Sequence, residues 1–175
     1  MAAATPVTEI PVGPIHRLAK ELVASSGFLL ARLGFGFKAK AIAMFETAGF
    51  EIYDYSVLAI LAENAQETQA SIASMLAVDP SRLVALLDSL EERALIVRQR
   101  DPQDRRRHLV SITAAGKRQL SRLREMVKEL EEAFLAPLDP ESRKTFHNLL
   151  SELAAYHDPR CAFSSAQAAA KVPEP

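Results

Sequence analysis

Between residues 54 and 113 the spacing of apolar residues changes period once, and that change limits the fold more than any other feature of the chain. DYSVLAILAENA, TQASIASML and DPSRLVALLDSLEERAL repeat apolar residues at helical spacing. LIVRQR and HLVSIT then alternate β-branched and polar residues, as the strands of a hairpin do, around the polar segment DPQDRRR. Thr68 and Asp79 stand where N-caps are needed, and Pro80 takes the first helical position, where its missing N–H costs nothing. Only Ala77, Val78 and Asp79 separate the second helix from the third, the length of the turn in a helix-turn-helix. Two short helices, a capped third and a hairpin with a basic tip make a winged helix-turn-helix.

Charge supports a reason for the wing. The chain carries a formal net charge of −1, yet residues 95–124 hold nine Lys/Arg against two Asp. A one-sided basic region is the electrostatic footprint of a polyanion partner. Residues 98–108 alone contain five arginines, which would repel one another unless carboxylates or phosphates compensate, so Asp101 and Asp104 are expected to orient some of the guanidinium groups. The third helix is expected in the major groove of double-stranded DNA and the wing in the adjacent minor groove, whose negative potential attracts arginine. That helix is sparse in polar side chains after Ser81 and Arg82, so base readout is thin and shape and phosphate contacts carry much of the binding.

Outside this lobe, PIHRLAKELVAS reads as a short helix and GFLLARLGFGFKAKAIAMFETAG as a long one ending near Gly49. TAAGKRQLSRLREMVKELEEAFLAPL aligns Leu120, Leu123, Met126, Val127, Leu130 and Phe134 on one stripe. DPESRKTFHNLLSELAAYH opens on a second Asp-Pro cap and continues the pattern with Phe146, Leu149, Leu150 and Leu153. Two amphipathic helices exceed what a small lobe needs, which points to a dimer surface built from both ends of the chain. The expected organisation is a mobile N-terminal arm (1–13), N-terminal dimerisation helices (14–52), a DNA-binding lobe (53–113), C-terminal dimerisation helices (114–158) and a loose tail (159–175).

Residues 27–125 resemble the MarR family of bacterial transcription regulators. DPQDRRRHLVSITAAGKRQL is similar to that family's wing and following helix, including Asp104, Arg106, Thr113 and Gly116, and DPSRLVALLDSLEERALI to its recognition helix. SGFLLARL and AGFEIYDYSVLAILAE resemble its first two helices. The fold implied is mainly α with a small β-hairpin wing. The resemblance implies a homodimer on a pseudo-palindromic operator, often near its own promoter, released by a small aromatic or anionic effector or by an oxidant. On this reading Ser81, Arg82, Ala85, Arg98, Asp104, Arg105, Arg106 and Arg107 meet DNA, with Arg106 matching the wing-tip arginine. Phe35, Phe37, Phe45, Tyr53 and Tyr55, core residues by default, fall where the family's ligand crevice forms, so one or two of them line a pocket. Ala94 departs from the family pattern, which has glycine there. A non-glycine residue at a left-handed cap is disfavoured by about 1 kcal/mol, and the helix end is expected to be shaped differently.

Catalysis is not expected: Asp104 has no second carboxylate, histidine or nucleophile at workable spacing. His16, His108, His147 and His157 show no metal-ligand spacing, and no cofactor is expected. Cys161 cannot form an internal disulfide, reads as an inert thiol and suits a reducing cytoplasm. The apolar runs are too short to cross a bilayer and the first residues lack the pattern of a signal peptide. A rival from another class is a winged-helix interaction module whose wing arginines meet an acidic partner protein.

Overall fold

A computed structural model describes residues 17–64, 66–102, 104 and 107–162. Seven helices and three strands follow one another there: α1 (Lys20–Ala24), α2 (Ser26–Thr47), α3 (Ile52–Glu63), β1 (Glu67–Thr68), α4 (Gln69–Leu76), α5 (Pro80–Glu92), β2 (Ile96–Arg100), β3 (His108–Ile112), α6 (Ala114–Phe134) and α7 (Pro140–His157). A 3-10 turn, Pro159–Cys161, follows α7 and carries the exposed thiol of Cys161. The chain divides into two compact units, residues 1–39 and 40–175.

In the first unit, α1 begins at Lys20, with residues 17–19 of the expected helix outside it. Ser25 leaves the helical conformation, and its hydroxyl accepts from Phe28 N at 3.2 Å to start α2. Leu18, Leu22, Val23, Leu29, Leu30 and Leu33 are exposed.

The second unit holds the winged helix-turn-helix. Caps form where side-chain chemistry calls for them: Thr68 Oγ1 accepts from Ser71 N (3.1 Å), Asp79 Oδ1 from Ser81 N (2.8 Å), Thr113 Oγ1 from Gly116 N (2.9 Å) and Asp139 Oδ1 from Glu141 N and Ser142 N (3.0 Å each). α3 begins with a reciprocal pair in which Asp54 Oδ2 accepts from Glu51 N at 2.8 Å while the Glu51 side chain caps the first turn. The fully buried side chains of Leu58, Leu61, Ile72, Leu87, Leu90 and Leu123 join the helices into one core with Ile96 and Val110 of the sheet. The burial of α5 is one-sided, with Leu83, Leu86, Leu87 and Leu90 inward.

The hairpin forms as the alternation predicts, pairing Ile96 with Ile112, Arg98 with Val110 and Arg100 with His108. A third strand joins it: β1 pairs antiparallel with β3, Glu67 opposite Val110, giving the order β1-β3-β2. Two residues are too few to show a period of two, so β1 is set by its neighbours rather than by its own sequence.

One expectation is corrected. α5 does not end differently for want of glycine: Ala94 takes the left-handed conformation (φ 55°), its N–H bonds Glu91 O at 2.8 Å and Leu95 N bonds Leu90 O at 2.9 Å. Those two bonds and the burial of Leu95 outweigh the steric cost at Ala94. The same ending closes α2 at Gly49 (φ 74°) and α4 at Ala77 (φ 50°). α7, in contrast, has no buried residue, and Leu149, Leu153 and Tyr156 are exposed along it. Among the described residues no single helix is long and apolar enough to cross a membrane.

Candidate nucleic-acid interface

α5 turns four leucines into the core, and its other face is therefore left outward by geometry. Ser81, Arg82, Val84, Ala85 and Ser89 are exposed and Asp88 is half-exposed. The Ser81 hydroxyl donates to Asp79, whose carboxyl is held below the usual aspartate range chiefly by that bond and by the Ser81 N–H. The Arg82 guanidinium lies 4.7 Å from the centre of the Tyr53 ring and 3.9 Å from Glu51 Oε2.

Strand β2 supplies Arg98, which is locked to α5. Its Nη2 reaches Asp88 Oδ1 at 2.6 Å and Glu91 Oε2 at 2.6 Å, its Nε donates to Glu91 Oε2 at 2.9 Å, and its backbone N–H donates to Glu91 Oε1 at 3.0 Å. The pairing lowers the Glu91 pKa and raises that of Arg98, in each case mainly through the guanidinium–carboxylate hydrogen bond. Sequence reading counted Arg98 among the DNA contacts without seeing its partners. The signal was present in Asp88 and Glu91, one helical turn apart on α5.

At the tip, Arg107 Nε lies 3.3 Å from Asp104 Oδ2, so one carboxylate does hold a wing guanidinium, and the Arg107 side chain remains 65% exposed. The backbone closes the tip with Arg107 N on Asp104 O (2.8 Å) and Asp101 N on Arg107 O (3.0 Å). Arg105 and Arg106 lie outside the described residues.

Behind the wing, α6 is pinned to the end of α5. Thr113 Oγ1 donates to Ala94 O (2.8 Å), Thr113 N donates to Leu95 O (3.0 Å), and a Cβ placed on Gly116 would lie 2.1 Å from Leu95 O. Glycine is required there by close approach rather than by backbone angle.

The aromatic residues named for a ligand crevice fall in both units. Phe45 is buried, and its ring meets that of Tyr55 with centroids 5.6 Å apart. Tyr53 faces Arg82 instead. Phe35, 77% exposed, and the half-buried Phe37 belong to the other unit. An open groove of about 490 Å³ does run beside α5, between Arg82 and Arg93 and the corner at Gly49–Glu51. Arg93 stacks 3.7 Å from the centre of the Phe50 ring and donates to Gly49 O at 3.0 Å. Glu46, Glu51 and Asp54 also line this groove, and three carboxylates against two guanidinium groups make it a poor seat for an anion. Burial raises the pKa of Asp54. Among the described residues no group of three His, Cys, Asp or Glu side chains could hold a metal ion.

With this geometry in place, comparisons with known proteins agree on one family. The MarR family model matches residues 51–108. A putative transcriptional regulatory protein for the hcr operon of Thauera aromatica is 33% identical over 135 residues, covering 73% of this chain and 81% of that protein. The solved structure of the transcriptional repressor CouR bound to a 23-mer DNA duplex is 29% identical, with a TM-score of 0.69, covering 79% of this chain and 99% of that one. CouR from Rhodococcus jostii RHA1 bound to p-coumaroyl-CoA is 26% identical, with a TM-score of 0.66 and coverage of 84% and 100%.

Proposed function

The chain belongs to the MarR family of transcriptional regulators, and on that premise we propose that it binds a pseudo-palindromic operator in double-stranded DNA as a homodimer and leaves it when a small aromatic or anionic effector binds. One observation carries the reading: α5, with one face uncovered, packs against strand β2 of the wing, and the stretch that begins there, residues 95–124, holds nine Lys/Arg against two Asp. The DNA-bound structure of CouR supports the same use of the fold.

In this reading the N-terminal half of α5, with Ser81, Arg82 and Ala85, enters the major groove, and the wing reaches the minor groove with Arg105, Arg106 and Arg107. Asp104 orients Arg107. Arg98 acts through Asp88 and Glu91, setting the wing's angle to α5, and meets DNA only at its margin. The exposed leucines of α7 support a second copy of the chain as their cover. Tyr53 and Tyr55, whose rings stay partly exposed, are better placed than Phe45 to touch an effector, and p-coumaroyl-CoA bound to CouR supports the effector's chemical class. Operator binding would place the protein in the cytoplasm, on the nucleoid.

Footprinting of the full-length protein on the DNA upstream of its own gene tests the reading, followed by titration of that duplex at several salt concentrations. Arg106→Ala should remove one contact per protomer, so the slope of log affinity against log salt falls by roughly 2 and affinity drops by about 1–3 kcal/mol per half-site. Arg124→Ala, on α6, should matter less. An Arg106→Ala protein that is folded and binds with unchanged affinity and slope would show the wing arginines to be a solvated face.

A further inference from the structure

Few polar side chains on the outward face of α5 are left for reading bases. Discrimination by hydrogen bonds in the major groove relies most on Arg, Lys, Asn or Gln presenting paired donors and acceptors to a base edge, with Asp, Glu, Ser and Thr making single contacts. On the outward face of α5 only Arg82 is of that kind, and it is held toward α3 by the Tyr53 ring and Glu51. Two further polar groups of this face, Ser81 and Asp88, are also engaged within the chain, which leaves Ser89, in the third turn, as the outward hydroxyl. The Ser81 hydroxyl proton goes to Asp79, and the Asp88 carboxylate receives Arg98 at 2.6 Å.

Between these groups stand Val84 and Ala85. Val84 is 42% exposed, while Leu83, Leu86, Leu87 and Leu90 of the same helix are at 9% or less. A β-branched residue is no asset to helix propensity, and here it gains less from burial than the four leucines beside it. On the floor of the major groove, the feature that an aliphatic side chain complements is the C5-methyl group of thymine.

We infer that Val84, flanked by Ala85, is a specificity-determining residue that selects thymine in each operator half-site through its C5-methyl group. The inference rests on the operator-binding reading above and names what α5 recognises there.

The test uses the full-length chain and a duplex enriched by it from a random pool. Each thymine of that duplex is replaced in turn by uracil, which removes the methyl group and keeps the pairing, and affinity is followed by fluorescence anisotropy. Uracil should weaken binding about fourfold at one or two symmetric positions per half-site, the value of one buried methyl group, and about fifteenfold when both half-sites carry it. Val84→Ala should bind the thymine and uracil duplexes within about twofold of each other, and Val84→Thr, which keeps one methyl, should retain part of the difference. Both variants alter an exposed position, so circular dichroism and urea midpoints should match the parent. A parent protein indifferent to uracil at every position, or a Val84→Ala protein with the full difference, overturns the inference alone. If the pool yields no enriched duplex, operator binding itself falls and this inference with it.

Discussion

Helices α5 and α7 begin alike. Asp79-Pro80 and Asp139-Pro140 each put a carboxylate at the N-cap and a proline at the first helical position, and each carboxylate takes a backbone N–H at 2.8–3.0 Å. Both then repeat apolar residues at helical spacing. Yet α5 buries Leu83, Leu86, Leu87 and Leu90, while α7 buries nothing and leaves Leu149 and Leu153 more than half exposed. The contrast separates two decisions that sequence patterns tend to merge. Capping and spacing decide that a helix forms; whether its apolar stripe is covered depends on what else the fold brings to it. For α5 the cover is α3, α4 and the sheet, and for α7 the cover proposed above is a second protomer.

The largest expected effect tests the buried stripe. Leu87→Ala should lower the free energy of unfolding by about 2–5 kcal/mol in urea, at any protein concentration, because it opens a cavity in a closed core. A loss under about 1 kcal/mol would mean that α5 is not covered as described. Leu149→Asp with Leu153→Asp tests the other stripe. Sedimentation at micromolar concentration should show the mass halved and dimer affinity reduced more than about a hundredfold, with helix content kept. A pair of aspartates that leaves the dimer intact would break the comparison, since the α7 stripe would then need no partner.

The far ends of the two helices sharpen it. α5 closes through left-handed Ala94, so Ala94→Gly should stabilise the protein by about 0.5–1 kcal/mol in thermal or urea unfolding. α7 closes on Asp158 with φ −137°, an extended conformation open to any residue, and Asp158→Gly should bring no gain. The smallest effect is at the shared start. Hydrogen bonds from serines, Ser81 and Ser142, hold both cap carboxyls below the usual aspartate range. A depressed carboxyl stabilises the fold above its unfolded pKa, and that contribution is lost as pH falls through the folded value, here below about pH 4. Asp79→Asn with Asp139→Asn keeps the caps but cannot titrate, so the double variant should lose less stability than the parent on acidification below pH 4. Parallel pH curves would remove the caps from the acid response.

Much of the lobe was legible because its signals are local. Asp79-Pro80, Thr68 and the switch from helical to alternating spacing act within a few residues of themselves, and the structure places α4, α5 and the hairpin where they point. What was not legible depends on groups far apart in the chain. β1 exists because β3 lies beside Glu67–Thr68. Ala94 was read by the rule for isolated residues, and packing around Leu95 overrode it. Composition marks the wing as basic but does not show that Arg98 already spans Asp88 and Glu91, nor that the engagement of Ser81, Arg82 and Asp88 leaves Val84 as an outward apolar side chain of α5. Aromatic residues were equally opaque, since nothing local distinguishes buried Phe45 from Tyr53 under a guanidinium.

The contact between Gly116 and Leu95 has a mechanical meaning. With no room for even a methyl group, and with Thr113 bonded to both carbonyls at the end of α5, the start of α6 has little room to move against the end of α5, so the joint behaves as a fixed pin. α6 extends from that pin for 21 residues, a lever arm of roughly 30 Å. A displacement of about 2–3 Å at Phe134 then corresponds to a turn of about 5° at the pin, delivered to the end of α5 with little lost on the way. Whatever displaces the far end of α6 therefore also pulls on the carbonyls that close α5.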